Sequence, residues 1–133
     1  MTMARTYTKE KDVKLEVKKL LDKHGYFWWM PPANGYGKAG VSDFNALKDG
    51  VFIAIEAKFG TNKPSPQQKA FGQSVLAESG FAFVVNEKNI ALLETWMFAF
   101  ERATKATAAG KKPTDEDGAL MLDCIKTLTN DLT

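Results

Sequence analysis

A chain of 133 residues with 44% hydrophobic and 26% charged side chains has the length and composition of one globular domain and is too short for two independent cores. Its formal charge of +2 is too small to argue nucleic-acid binding alone, and no secretory signal or membrane span is read in it. The one cysteine, Cys124, excludes an internal disulfide and a thiolate cluster for zinc, and it fits a reducing cytoplasm. In chain order, the stripe of Val13, Val17, Leu20, Leu21 and His24 predicts a helix over about 9–24, with Gly25 as its stop. Its flanks are lysine-rich (Lys9, Lys11, Lys14, Lys18, Lys19, Lys23), balanced by Glu10, Asp12, Glu16 and Asp22, as expected of a solvated helix face.

Residues 26–30 predict a short strand ended by Pro31 and Pro32, and 33–40 a loop. Asp49-Gly50 between β-like runs predicts a hairpin, and residues 51–55, apolar on both faces, predict a central strand covered on both sides. After a connection over 60–65, Pro66 suits the first turn of a helix over 67–79 with Gly80 beyond its end. Residues 81–85 are a second buried strand, which a crossover helix should place parallel to the 51–58 strand. A strongly apolar helix over 89–104, a linker over about 105–113, and an acid-capped last helix over about 114–131 complete the order. This is a single α/β domain, residues 1–133, with its core at about 9–104 and a mixed sheet holding an antiparallel hairpin flanked by helices.

The chemistry concentrates between Gly40 and Lys58. If Asp49 and Gly50 form a two-residue turn, Lys48 faces Val51, and counting outward pairs Phe44 with Ile55 and Asp43 with Glu56. Opposed residues share a face with Cβ atoms about 5 Å apart, where two like charges destabilise, so a positive charge is expected between them. Lys58, two residues past Glu56, falls on the same face. Two carboxylates offer hard oxygen ligands to Mg²⁺ or Mn²⁺, ions that can polarise a phosphodiester and acidify water, while an ammonium can neutralise charge building on phosphate. Glu-x-Lys alone is commonly an exposed salt bridge, but here it follows a buried strand, and the ends of such strands are where sites sit.

Two motifs are set aside. Gly35 to Gly40 matches G-x-G-x-x-G but leads into a strand and not a helix, so it is no dinucleotide site, although Lys38 and its amides could approach a phosphate chain. His24, at a helix end before Gly25, reads as a cap or packing residue.

Taken together, Gly40-Val41-Ser42-Asp43, Ile55-Glu56-Ala57-Lys58, Ser65-Pro66-Gln67-Gln68-Lys69 and Gly80 resemble the PD-(D/E)XK nuclease superfamily, and within it the VRR-NUC group of small phage-type and repair-associated nucleases. The resemblance spans roughly residues 9–85 and implies a restriction-endonuclease-like core. It implies that Asp43, Glu56 and the backbone carbonyl of Ala57 hold Mg²⁺ or Mn²⁺, that Lys58 is the catalytic lysine, and that Gln68 orients the lysine or nearby groups. Ser42 stands where the family often has proline, which affects strand entry but no ligand. A helical glutamate often completes such sites. Here Glu16, on the edge of the inward stripe, is favoured over Glu10, with an ion pair to Lys19 as its plain alternative. Lys19, Lys23 and Lys38 are the candidates for phosphate contact. The implied activity is metal-dependent hydrolysis of DNA, on branched or structured molecules such as Holliday junctions, in a phage or bacterial cytoplasm. The alternative is a nucleic-acid-binding module of the same fold without turnover, against which the intact Asp43, Glu56 and Lys58 argue. A helix apolar on most sides, as around Trp96 to Phe100, must be buried, by core packing in the first place and, since the chain is short and related nucleases work as dimers, by a homodimer interface in the second.

Overall fold

In the computed structural model, which describes residues 6–32 and 38–133, the chain is an α/β domain built on one four-stranded mixed sheet. The first helix, α1 (Glu10–Lys23), buries Val13, Val17, Leu20 and Leu21. Asp12 fixes its start, since one carboxylate oxygen accepts the backbone N–H groups of Thr8 at 2.9 Å and Lys9 at 3.2 Å. Gly25, at φ +74°, closes it: Gly25 N–H donates to Asp22 and Tyr26 N–H to Leu21, the paired bonds of a Schellman motif.

Strand β1 (Phe27–Trp29) pairs antiparallel with β2 (Phe44–Lys48), and β2 with β3 (Val51–Ala57), in the order β1-β2-β3-β4. The hairpin register matches the sequence reading: Lys48 faces Val51 and Phe44 faces Ile55. Asp49 (φ +52°) and Gly50 (φ +78°) both take left-handed conformations, the requirement of the type I′ turn that suits strand twist. Strand β4 (Phe81–Val85) runs parallel to β3 after the crossover helix α2 (Pro66–Ala77).

Period-two alternation divides the sheet into two faces. On one, Phe44, Ala46, Ile53, Ile55, Ala57, Phe83 and Val85 pack in the main core with α1 and with α3 (Ile90–Ala108). On the other, Ala54, Ala82 and Val84 meet Phe71, Val75 and Leu76 of α2 and Leu132 of a closing 3-10 turn (Asn130–Leu132).

Some boundaries differ from the sequence reading. Helix α2 ends at Ala77 and not at 79, because Ser79 and not Gly80 takes the left-handed C-terminal position (φ +68°), with Ser79 N–H on Leu76 and Gly80 N–H on Val75. Gly80 serves close approach instead: a Cβ there would lie 2.8 Å from Val75 Cγ1 and 3.1 Å from the Phe52 carbonyl oxygen. Helix α3 runs four residues past 104, to Ala108, so the linker expected at 105–113 is shorter. Its stop is Gly110 (φ +73°), where Lys111 N–H donates to Ala106 at 2.8 Å. Helix α4 (Asp115–Leu128) starts as expected, with the Thr114 hydroxyl accepting Asp117 N–H, but Cys124 and Leu128 join the main core, so α4 is part of the domain and not an appendage.

Most of the apolar surface of α3 that suggested a dimer faces the interior of the chain. Leu93, Trp96, Met97 and Phe100 are buried by their own chain, Trp96 stacking on Phe100 at 4.8 Å and meeting Phe83 edge-on, which leaves Phe98 as the exposed aromatic. No described helix is long and apolar enough to cross a membrane.

Candidate active site

The sheet opens where β2 begins and β3 ends, and the polar residues of the sequence motifs converge there. Asp43 is not a rung of the ladder but bends off just before β2. Its Oδ2 accepts Ala57 N–H at 2.9 Å, and its own N–H donates to Glu56 Oε2 at 3.3 Å. The two carboxylates are therefore locked together through the backbone instead of merely facing each other. Glu56 is almost fully buried, at 4% exposure, and its Oε1 accepts Gln68 Nε2–H at 2.9 Å with Lys58 Nζ at 3.6 Å.

Gln68 holds this position because it is also the third residue of the α2 capping box. Its Oε1 accepts Ser65 N–H at 2.9 Å, its N–H donates to Ser65 Oγ at 3.2 Å, and the remaining amide nitrogen is left to face Glu56. Gly40 brings the approach to Asp43 against the same helix start. It sits at φ +78° with its backbone so near Gln67 that a Cβ would collide with that residue's carbonyl.

Burial, then the charge and hydrogen bond of Asp43, push the Glu56 carboxyl up to about 8, with Lys58 opposing. At neutral pH this centre therefore holds a proton that a cation could replace. The donor set fits Mg²⁺ or Mn²⁺, since hard carboxylate oxygens of Asp43 and Glu56 lie beside the Ala57 backbone, and Mg²⁺ is commonly held by one or two carboxylates plus substrate phosphate. Among the described residues no group of three or more His, Cys, Asp or Glu side chains forms a cage.

Sequence reasoning missed Lys14, counted only among the helix lysines. Its Nζ lies 3.7 Å from Asp43 Oδ1 and 3.3 Å from Glu10 Oε2. Burial pulls this ammonium down, but Asp43 and Glu10 outweigh it and leave it raised. The expected positive charge is thus supplied twice, by Lys58 beside Glu56 and by Lys14 beside Asp43. Lys14 also distinguishes the two helical glutamates. Glu10 is tied to the centre through it, whereas the favoured Glu16 lines a separate groove with Tyr7, Leu20, Ile90 and Glu94. Six residues of helix turn the two glutamates about 120° apart.

The three lysines expected at phosphate divide. Lys23 lies about 13 Å along α1 from Lys14 and pairs with Glu94 at 2.8 Å, so its charge is engaged away from the centre. Lys19 is exposed on α1. Lys38 is exposed and borders a groove with Phe52, Phe71 and Val75, while residues 35–37 of the glycine-rich loop lie outside the described residues.

His24 is a packing residue, as expected, but with more partners than a cap. Its ring is buried edge-on to Phe98, Nδ1 lies 2.5 Å from Glu101 Oε1 and Nε2 2.7 Å from Glu94 Oε2, and Lys48 Nζ donates to its carbonyl. This network joins α1, β2 and α3 at the end of α1 opposite to Lys14 and Glu10.

Neither the protein-family models nor the curated proteins compared with this chain gave a match.

Proposed function

We propose that the chain is a Mg²⁺- or Mn²⁺-dependent DNA endonuclease acting on branched or structured DNA, with a PD-(D/E)XK-type centre resembling the VRR-NUC group. One observation carries this reading most: Asp43, Glu56, Lys58 and Gln68, scattered over 26 residues of sequence, meet at one open sheet end, the Asp43 carboxylate accepting Ala57 N–H and the Glu56 carboxylate accepting Asp43 N–H. Two like charges held together in a buried place cost stability, and function is the usual reason to keep them.

A bound divalent ion would supply Lewis acidity toward the scissile phosphate and the attacking water. Asp43, Glu56 and the Ala57 carbonyl would hold it. Lys58, 3.6 Å from Glu56 Oε1, would place its ammonium against charge developing on the phosphate. Gln68 keeps Glu56 in one rotamer throughout, and Lys14 with Glu10 fixes Asp43 from the α1 side. A homodimer remains part of this reading, with Phe98 as the aromatic of the Trp96–Phe100 stretch left exposed for it.

The test is a panel of end-labelled DNAs (four-way junction, flap, nicked and plain duplex, single strand) incubated with Mg²⁺, Mn²⁺, Ca²⁺ or chelator. Cleavage of a branched member with Mg²⁺ or Mn²⁺ and none in chelator is expected. Binding without cleavage in every metal would favour the inactive binding module.

A further inference from the structure

The sheet face that carries the carboxylates does not end with them. Alternation puts Asn45 and Leu47 of β2 on the face that α2 covers, with Asp43 just ahead of them, and the register sets Trp29 opposite Asn45 and Phe27 opposite Leu47. Helix α2 covers only the β3–β4 side of that face, so beyond it Phe27 is 69% exposed, Trp29 44% and Leu47 41%. The two rings lie 5.8 Å apart, and Trp29 meets Phe52 at 6.3 Å, so the aromatic strip runs back toward the groove bordered by Lys38. Strand spacing puts the Trp29 backbone about 8 Å from Asp43 and the Phe27 backbone about 14 Å, with buried Asn45 between, its Oδ1 without a hydrogen-bond partner among the described residues. At about 3.4 Å per stacked nucleotide, the rings lie some two to four nucleotides from the carboxylates.

Resting on the endonuclease reading, we propose that Phe27 and Trp29 form a stacking platform for unpaired nucleobases of the strand whose phosphate enters the Asp43–Glu56 centre. The preferred substrate is then DNA with a single-stranded segment beside the cut. Flat rings of this kind accept any base, and cations at either end of the strip, Lys58 at the centre and Lys38 at the groove, suit a backbone of phosphates. A second copy of the chain fits worse. The strip exposes on the order of 400 Å², about half of what each partner buries in a standard interface, and β1 is an edge of three residues, too short to extend the sheet by pairing.

The test measures binding, not cutting. In a Glu56→Gln background, fluorescence anisotropy of labelled oligothymidylate and of a duplex of equal length would be followed for Phe27→Ala, Trp29→Ala and Trp29→Phe. Each alanine variant should weaken single-strand binding about tenfold while duplex binding holds, and Trp29→Phe should retain most of it. If Trp29→Ala disturbs the fold through Phe52, Phe27→Ala decides, since its ring is mostly in solvent. Unchanged single-strand affinity in Phe27→Ala, an equal loss on duplex, or a dimer that Phe27→Ala dissociates in sedimentation would overturn the platform. Selective loss of single-strand binding, together with no cleavage of any DNA by the protein with Glu56 intact, would sink the endonuclease reading and leave the platform standing. Cleavage with unaltered binding would do the reverse.

Discussion

Glu56→Gln should raise the stability of the metal-free protein, by an amount that grows with pH. A carboxyl at about 8 in the folded state and near 4.5 in the unfolded chain is raised on folding. Its contribution is therefore complete below pH 4.5 and is lost as pH climbs toward 8. At about 1.4 kcal/mol per pH unit, the loss between pH 4.5 and 7 is about 3 kcal/mol. Glutamine keeps an oxygen for the Gln68 amide and carries no charge to repel Asp43, so it escapes this loss. For a chain of this length, 3 kcal/mol moves the midpoint of thermal unfolding by about 10 °C. The measurement is the difference in melting temperature between variant and wild type in chelator at pH 5, 6, 7 and 8. Taking the difference removes the acid-side losses of Asp12, Glu94 and Asp117, whose carboxyls their partners hold low and which weaken both proteins alike as pH falls. Millimolar Mn²⁺ should then narrow the gap by stabilising the wild type alone. A gap that is flat with pH, or a variant that melts lower at pH 8, would refute the account of a repelling carboxylate pair.

The other predictions concern single contacts. Glu10→Gln or Lys14→Ala should lower cleavage about tenfold or more, whereas Glu16→Gln should leave it near wild type; equal rates in all three, measured in single turnover, would remove α1 from the site. Ser79→Gly should raise stability by about 0.5–1 kcal/mol by relieving a left-handed serine, and Gly80→Ala should lower it by forcing Val75 or Phe52 to move, both read from urea melts. His24→Phe should cost about 2–3 kcal/mol, because it leaves Glu94 and Glu101 facing an apolar ring, with little effect on cleavage once folded; a neutral melt would show that the network contributes nothing.

Much of the fold was legible because it rests on local signals. Asp49-Gly50 sets the hairpin register by itself, since both residues must take positive φ and the count outward then has one answer. Pro66 marks the start of α2, though not that Ser65 and Gln68 cap it or that the spare amide hydrogen of Gln68 would reach Glu56. Where the reading went astray, the missing information was tertiary. Val13, Val17 and Leu20 define a stripe with two edges, Glu16 on one and Lys14 on the other, and only the packing of α1 across the sheet shows which edge meets Asp43. The apolar girth of α3 required burial, but nothing local shows that α4 is among the elements that supply it. Gly80 looked like a helix stop, but close contact with Phe52 and Val75 claims it, and the stop falls to Ser79. The exposure of Phe27 and Trp29 follows from how far α2 reaches across the sheet, which their own sequence does not carry.

The claim that Asp43, Glu56 and Lys58 form a phosphodiester-hydrolysing centre is tested most directly by single-turnover cleavage of a labelled four-way junction with Mn²⁺, comparing wild type with Lys58→Ala and Glu56→Gln. Both variants should keep the circular dichroism of the wild type and bind the junction comparably, and both should cut it at least a hundredfold more slowly. Folded variants that cleave at the wild-type rate would place the chemistry elsewhere and contradict the account.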